Sequence, residues 1–179
     1  MGLERAAWLE RRYGAVLQWM PFDLHPEYPP EGVPRTRPYE PLAAMFEAAG
    51  LPHAQEPLPK IPNSRGALIV GALARERDVY ATLPPRLFAA YWAEARDIGD
   101  PAVLVEEAVA AGLDAGEVHD ALAQQRHSDA IERSTQMLFE LGAGGVPGWL
   151  VDERLLVPGA QPHEVFERVL ERLGHQTVE

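Results

Sequence analysis

The sequence contains no cysteine. That absence excludes a disulfide framework, a thiolate metal site and any dithiol redox chemistry performed by these 179 residues. Lysine is almost missing too: Lys60 is the only one, the arginines are dispersed, and the formal net charge is -11. Nucleic-acid binding needs clustered Lys and Arg against phosphates, so that class is excluded. No apolar run approaches the length of about 18 residues that spans a bilayer. The opening MGLERAAWLERRYG is charged throughout and lacks the apolar core of a secretory signal, so at face value the chain is cytoplasmic. There is no internal repeat, low-complexity tract or flexible Gly/Ser linker.

Side chains that commonly carry chemistry are present but badly placed for it. The six histidines, His25, His53, His119, His127, His163 and His175, form no close set with a carboxylate of the kind zinc uses. Even on one continuous helix, His119 and His127 would lie more than two turns apart. Ser64, Ser128 and Ser134 lack an adjacent activating partner, and no GxSxG occurs. The glycines at 142–145 precede a strand rather than a helix N-terminus, so they are not a phosphate cradle. Glu106 and Glu107 are helical neighbours pointing in different directions, read as a solvated face. No metal and no cofactor are expected on these grounds.

What the chain does have is an ordinary globular composition, 46% hydrophobic and 24% charged, and enough length for one domain or one domain with a large insertion. Leu3, Ala6, Ala7, Leu9 and Tyr13 keep helical spacing before Gly14, and residues 15–19 read as a strand. Six prolines between Pro21 and Pro38 then rule out a regular element. Helices follow over 39–49, 64–77, 83–95 and 101–111, another begins at Asp114 with Val118 and Leu122 facing inward, and one more covers 128–141. Asp100 and Asp114 stand as N-caps, Asn63 or Ser64 caps the second helix of the set, and Leu87, Phe88, Tyr91 and Trp92 form a core-facing aromatic stripe. Two short apolar runs, 149–151 and 155–157, flank a polar turn as in a β-hairpin. Pro147 stands at the mouth of the first run, a position that suits a cis X-Pro bond. A last amphipathic helix carries Val165, Val169, Leu170 and Leu173 on one face. The order implies an α/β core, residues 1–62 and 136–179, interrupted by an all-helical insertion at 63–135.

The stretch GVPGWLVDERLLVPGAQPHEVFERVL, residues 145–170, resembles the last third of the DsbA-like thioredoxin superfamily, in its FrnE-type branch. PFDLHPEYPPEG at 21–32, PNSRGAL at 62–68 and AYWAEARDIGDPAVLVEEA at 90–108 agree in the right order. The resemblance implies a thioredoxin-like core and thiol-disulfide exchange on protein or peptide substrates. It also implies a Val-cis-Pro loop that pairs with extended substrate backbone and keeps the family's two cysteines from trapping metal. Carried over onto this chain, the substrate-facing residues are Val146, Pro147, Gly148, Phe22, His25, Asn63, Gly159 and Gln161. Phe22 and His25 belong to the proline-rich loop beside the family's active site. Asn63 either points into the cleft or caps its helix. Gly148 replaces a threonine common after the family's proline.

The family's first strand and Cys-x-x-Cys motif have no counterpart here, so the family reaction cannot run on the polypeptide as written. The missing strand is internal to the family's sheet, and its loss would expose unpaired edges. The expectations are a longer natural protein, pairing with another chain (a homodimer among them), or a sheet closed around the gap, the first being preferred. Kappa-class glutathione transferases and 2-hydroxychromene-2-carboxylate isomerases share the superfamily, which makes glutathione the alternative ligand. Those relatives hold its amino end with an aspartate, where this chain has Gly159-Ala160-Gln161. A non-catalytic substrate-binding module of the same fold is the remaining alternative.

Overall fold

The computed structural model describes residues 1–178. The chain divides into two compact units, Met1–Leu24 with Ser134–Glu179, and His25–Arg133.

The first unit holds α1 (Gly2–Tyr13), the hairpin strands β3 (Gly148–Val151) and β4 (Leu155–Pro158), and α8 (His163–Leu173), together with the C-terminal part of α7 (Ser128–Glu140). The hairpin closes where its sequence predicts, with Asp152 and Glu153 both left-handed and Arg154 N–H donating to Val151 C=O. Left-handed backbone at both central residues matches the strands' own twist. The strands pair from Gly148 with Pro158 to Val151 with Leu155. Leu9, Val157, Phe166 and Leu170 make the core, and Trp8, Tyr13, Trp149, Val165 and Val169 pack around them. The buried face of α8 therefore centres on Phe166, which the expected stripe omitted because Val165 and Val169 keep the same period one residue away. Gly14 and Gly174, at φ 62° and 91°, end α1 and α8 in the conformation that a side chain disfavours.

Residues 15–19 do not form the expected strand. Their alternation is right, but a strand exists only through a ladder with another strand, and none of the four described strands runs beside them: Val16 is 97% exposed.

The second unit is helical: α2 (Glu40–Ala48), α3 (Arg65–Glu76), α4 (Leu83–Phe88), α5 (Pro101–Ala110) and α6 (Ala115–Ala123), with the start of α7. Ile69, Val70, Leu73, Leu83, Leu104, Ala108, Val118, Ala121 and Ile131 interlock as its core. Asp100 caps α5 by accepting from Ala102 N–H at 2.8 Å, and Asp114 caps α6 by accepting from Glu117 N–H at 2.9 Å. The helix expected over 83–95 gives way after Phe88 to a π-helical segment, Ala89–Ala93. Phe88 is exposed rather than core, whereas Trp92 packs on Phe46 with ring centres 5.3 Å apart. Nor is the proline-rich segment wholly irregular: β1 (Val33–Pro34) pairs with β2 (Lys60–Ile61), a two-residue ladder with Pro34 at its end. Gly32 is obligatory beside it, because at φ 81° a Cβ there would meet Ile61 C=O at 2.4 Å. Residues 25–62 are fastened to the helices by Ala54 N–H to Trp92 C=O and Arg35 to the Tyr91 hydroxyl.

The expected solvated face at Glu106 and Glu107 is half wrong. Glu106 is exposed, but Glu107 is 5% exposed, its carboxylate accepting from Arg96 at 2.5 Å and facing Arg86 Nε at 3.0 Å. Adjacent helical positions point about 100° apart, so one of such a pair can face the core while the other faces water. Burial pulls the Arg96 guanidinium toward neutrality, and the two glutamates outweigh it, holding its pKa above the usual range.

Candidate functional site

The peptide bond between Val146 and Pro147 is cis. Pro147 enters β3, and its carbonyl accepts from Gly159 N–H at 2.7 Å across the hairpin's open end. Gly159, at φ 76°, carries the chain out of β4 in a left-handed turn, and its own carbonyl accepts from Trp149 Nε1 at 3.0 Å. Gln161 folds its side chain back so that Nε2 donates to Pro158 C=O at 2.7 Å. Five of the eight sequence-predicted residues, Val146, Pro147, Gly148, Gly159 and Gln161, thus lie in one hydrogen-bonded construction. Val146 projects from it, 58% exposed, and among the described residues its N–H and C=O make no backbone hydrogen bond.

The first turn of α1 completes this site. The position a Cβ on Gly2 would occupy is 3.5 Å from Pro147 Cβ, so the helix N-terminus sits directly against the proline. Arg5, one turn on, donates through Nε to Gln161 C=O at 2.7 Å, and its Nη1 approaches His163 Nε2 at 2.9 Å. Glu4 pairs with Arg5 and also lies 3.1 Å from His163 Nε2. The His163 ring stacks on Trp8, 4.2 Å between centres and 13° from parallel. Reasoning from sequence missed Gly2, Glu4, Arg5 and His163. The signal available was weak: charged residues in the first turn of one helix and a histidine opening another, some 150 positions away.

The other three predicted residues make different contacts. Phe22, in the first unit, packs on Phe139 with ring centres 4.9 Å apart. His25 and Asn63 belong to the second unit. His25 stacks on Tyr28 at 4.3 Å and meets Glu27 at 3.0 Å. Glu27 is held below the usual carboxylate range, first by its own backbone N–H and then by His25. Asn63 does both a capping and a tethering job: Oδ1 accepts from Arg65 N–H at 2.8 Å, and Nδ2 donates to Tyr28 C=O at 2.7 Å. Ser64 occupies the N-cap of α3 without a side-chain cap bond.

A concavity of about 270 Å³ in the second unit is lined by Pro85, Arg86, Ala89, Glu94 and Glu107. Both oxygens of Glu107 are taken by arginines there, which makes it a structural ion cluster. Among the described residues no three His, Asp or Glu side chains gather as metal ligands do, and no helix is long and apolar enough to cross a membrane.

Comparison with known proteins fits this construction to a family. The model of the DSBA-like thioredoxin domain matches residues 2–171. The chain belongs to the DSBA-like thioredoxin domain family. Among solved structures, a probable DsbA oxidoreductase from Streptomyces coelicolor superposes with a TM-score of 0.75 at 30% identity, covering 84% of this chain and 72% of that one. A 2-hydroxychromene-2-carboxylate isomerase shares the fold, with a TM-score of 0.66 at 19% identity over 96% of this chain and 87% of its own. The uncharacterised protein YwbO of Bacillus subtilis is 25% identical over 161 residues, 86% of this chain and 80% of YwbO. A DsbA-type domain whose 179 residues include no cysteine has the fold of a dithiol oxidoreductase and no thiol to exchange.

Proposed function

We propose that this chain keeps the substrate-facing function of the DsbA-type thiol-disulfide oxidoreductases without their redox motif. It binds an extended, thiol-containing peptide or protein segment at residues 146–148 and carries out no exchange of its own. The observation that carries this reading is Val146: an exposed residue whose backbone donor and acceptor have no backbone partner among the described residues, on a loop whose neighbour Pro147 is pinned by Gly159. An extended peptide laid alongside would gain two main-chain hydrogen bonds as an added strand does, with no cofactor. The matching segments at 21–32, 62–68 and 90–108 support placement in the FrnE-type branch. The glutathione alternative has less behind it, since Gln161 is neutral and its amide is engaged by Pro158.

The test is calorimetric titration with a capped peptide of alternating Thr and Val around a central S-methylcysteine, which can bind but cannot exchange. Binding is expected, and the same peptide N-methylated along the pairing edge is expected to lose it. In an insulin-reduction assay the chain is expected to give no rate above buffer. Equal binding of the N-methylated peptide, or a measurable reductase rate, would refute the reading.

A further inference from the structure

One ring nitrogen of His163 faces two groups with opposite requirements. Its Nε2 lies 2.9 Å from Arg5 Nη1 and 3.1 Å from Glu4 Oε1. A guanidinium can only donate and a carboxylate can only accept, so Nε2 serves Arg5 with a lone pair or Glu4 with a proton, never both. The stack on Trp8 fixes the ring plane, so the choice is between two discrete arrangements.

Arg5 is also the residue that holds Gln161 C=O, at 2.7 Å, two positions from the Gly159 N–H that pins Pro147. We propose that Glu4, Arg5 and His163 form a proton-operated latch on the 146–148 loop, which holds it for peptide binding while His163 is neutral and loosens it when His163 is protonated. The proposal rests on the peptide-binding reading above.

With a lone pair at Nε2, His163 accepts from Arg5 and keeps the guanidinium over Gln161. With both ring nitrogens protonated, Nε2 donates to Glu4 and the imidazolium presents like charge to Arg5, whose bond to Gln161 C=O then competes with repulsion. The other charged groups to weigh are the Met1 amine, which lies beside Glu4 and Arg5, and on α8 itself Glu167, four positions on and so on the same helix face, while Glu164 in the first turn points to a different side. Trp8 adds none. Histidine is the side chain suited to change charge near neutral pH, which makes the device a regulator of the same site.

The experiment follows the His163 ring resonances and the Gly159 and Val146 amides of the peptide-free protein across pH, then measures affinity for the S-methylcysteine peptide on either side of the His163 midpoint. The amide shifts are expected to share that midpoint. Affinity is expected to fall about tenfold below it, the scale of one charge-assisted hydrogen bond. His163→Gln is expected to bind with no such pH dependence, and Arg5→Lys, which keeps the charge but not the Nε donor, to bind weakly throughout. Amides that ignore the His163 midpoint, or a His163→Gln variant with unchanged pH dependence, would overturn the latch. If the peptide binds at no pH, the peptide-binding reading fails, while the peptide-free midpoints still decide the latch.

Discussion

Two adjacent glutamates allow burial and charge to be separated cleanly. Glu106 and Glu107 both bond Arg96 at 2.5 Å, yet Glu107 is 5% exposed and the Glu106 side chain is 68% exposed. Glu107→Gln keeps the shape and removes one charge facing Arg96 and Arg86. Removing one partner of a fully buried pair costs about 3–5 kcal/mol, because the other charge is stranded. Here the arginines are partly exposed and Arg96 keeps Glu106, so the figure falls to about 2–3 kcal/mol, or a drop of about 4–12 °C in thermal midpoint for a chain of this length. Glu106→Gln makes the same change in net charge but at the surface, where a pair contributes about 0.2–1 kcal/mol. Scanning calorimetry of the two variants side by side is the assay. Equal shifts would show that Glu107 is not sequestered from water, and the reading of the 83–107 region as a buried ion cluster would fall.

Phe166 is fully buried and meets Trp149 edge-on at 5.3 Å. Phe166→Ala should cost about 3–5 kcal/mol and alter the near-ultraviolet dichroism of the tryptophans that surround it. A midpoint shift no larger than that of Glu106→Gln would contradict the core assignment. Gly32→Ala should destabilise markedly more than Gly50→Ala. Both glycines have positive φ, which costs about 1–2 kcal/mol for a side chain, but only Gly32 also faces a backbone oxygen at 2.4 Å. Equal denaturant midpoints for the two variants would remove the clash from the explanation.

The elements set by local chemistry were legible in the sequence. Asp100 and Asp114 announce helix starts because a short carboxylate satisfies free amides, and Gly14, Gly50, Gly112 and Gly142 mark the left-handed turns after helices. The hairpin around Asp152 and Glu153 declared itself through two apolar runs and a polar turn. What failed depended on partners that no local pattern reveals. Residues 15–19 alternate as a strand should, but among the described residues no strand forms a ladder with them. Glu107 looked like its neighbour Glu106 because burial is decided by which helix packs opposite. In the candidate site, the 146–148 loop and the 159–161 turn could be read from the family's pattern, whereas Arg5 and His163 could not. Their pairing across 158 positions is a product of tertiary structure, without a spacing that marks it.

The central claim is that the 146–148 loop receives extended peptide backbone without thiol chemistry. The most direct measurement is isotope-edited NMR of the labelled chain with the S-methylcysteine peptide, read for intermolecular contacts and amide shifts. The account requires contacts from peptide α-protons to Val146 and shifts centred on Val146, Gly148 and Gly159. Contacts centred elsewhere, with those three amides unmoved, would contradict it.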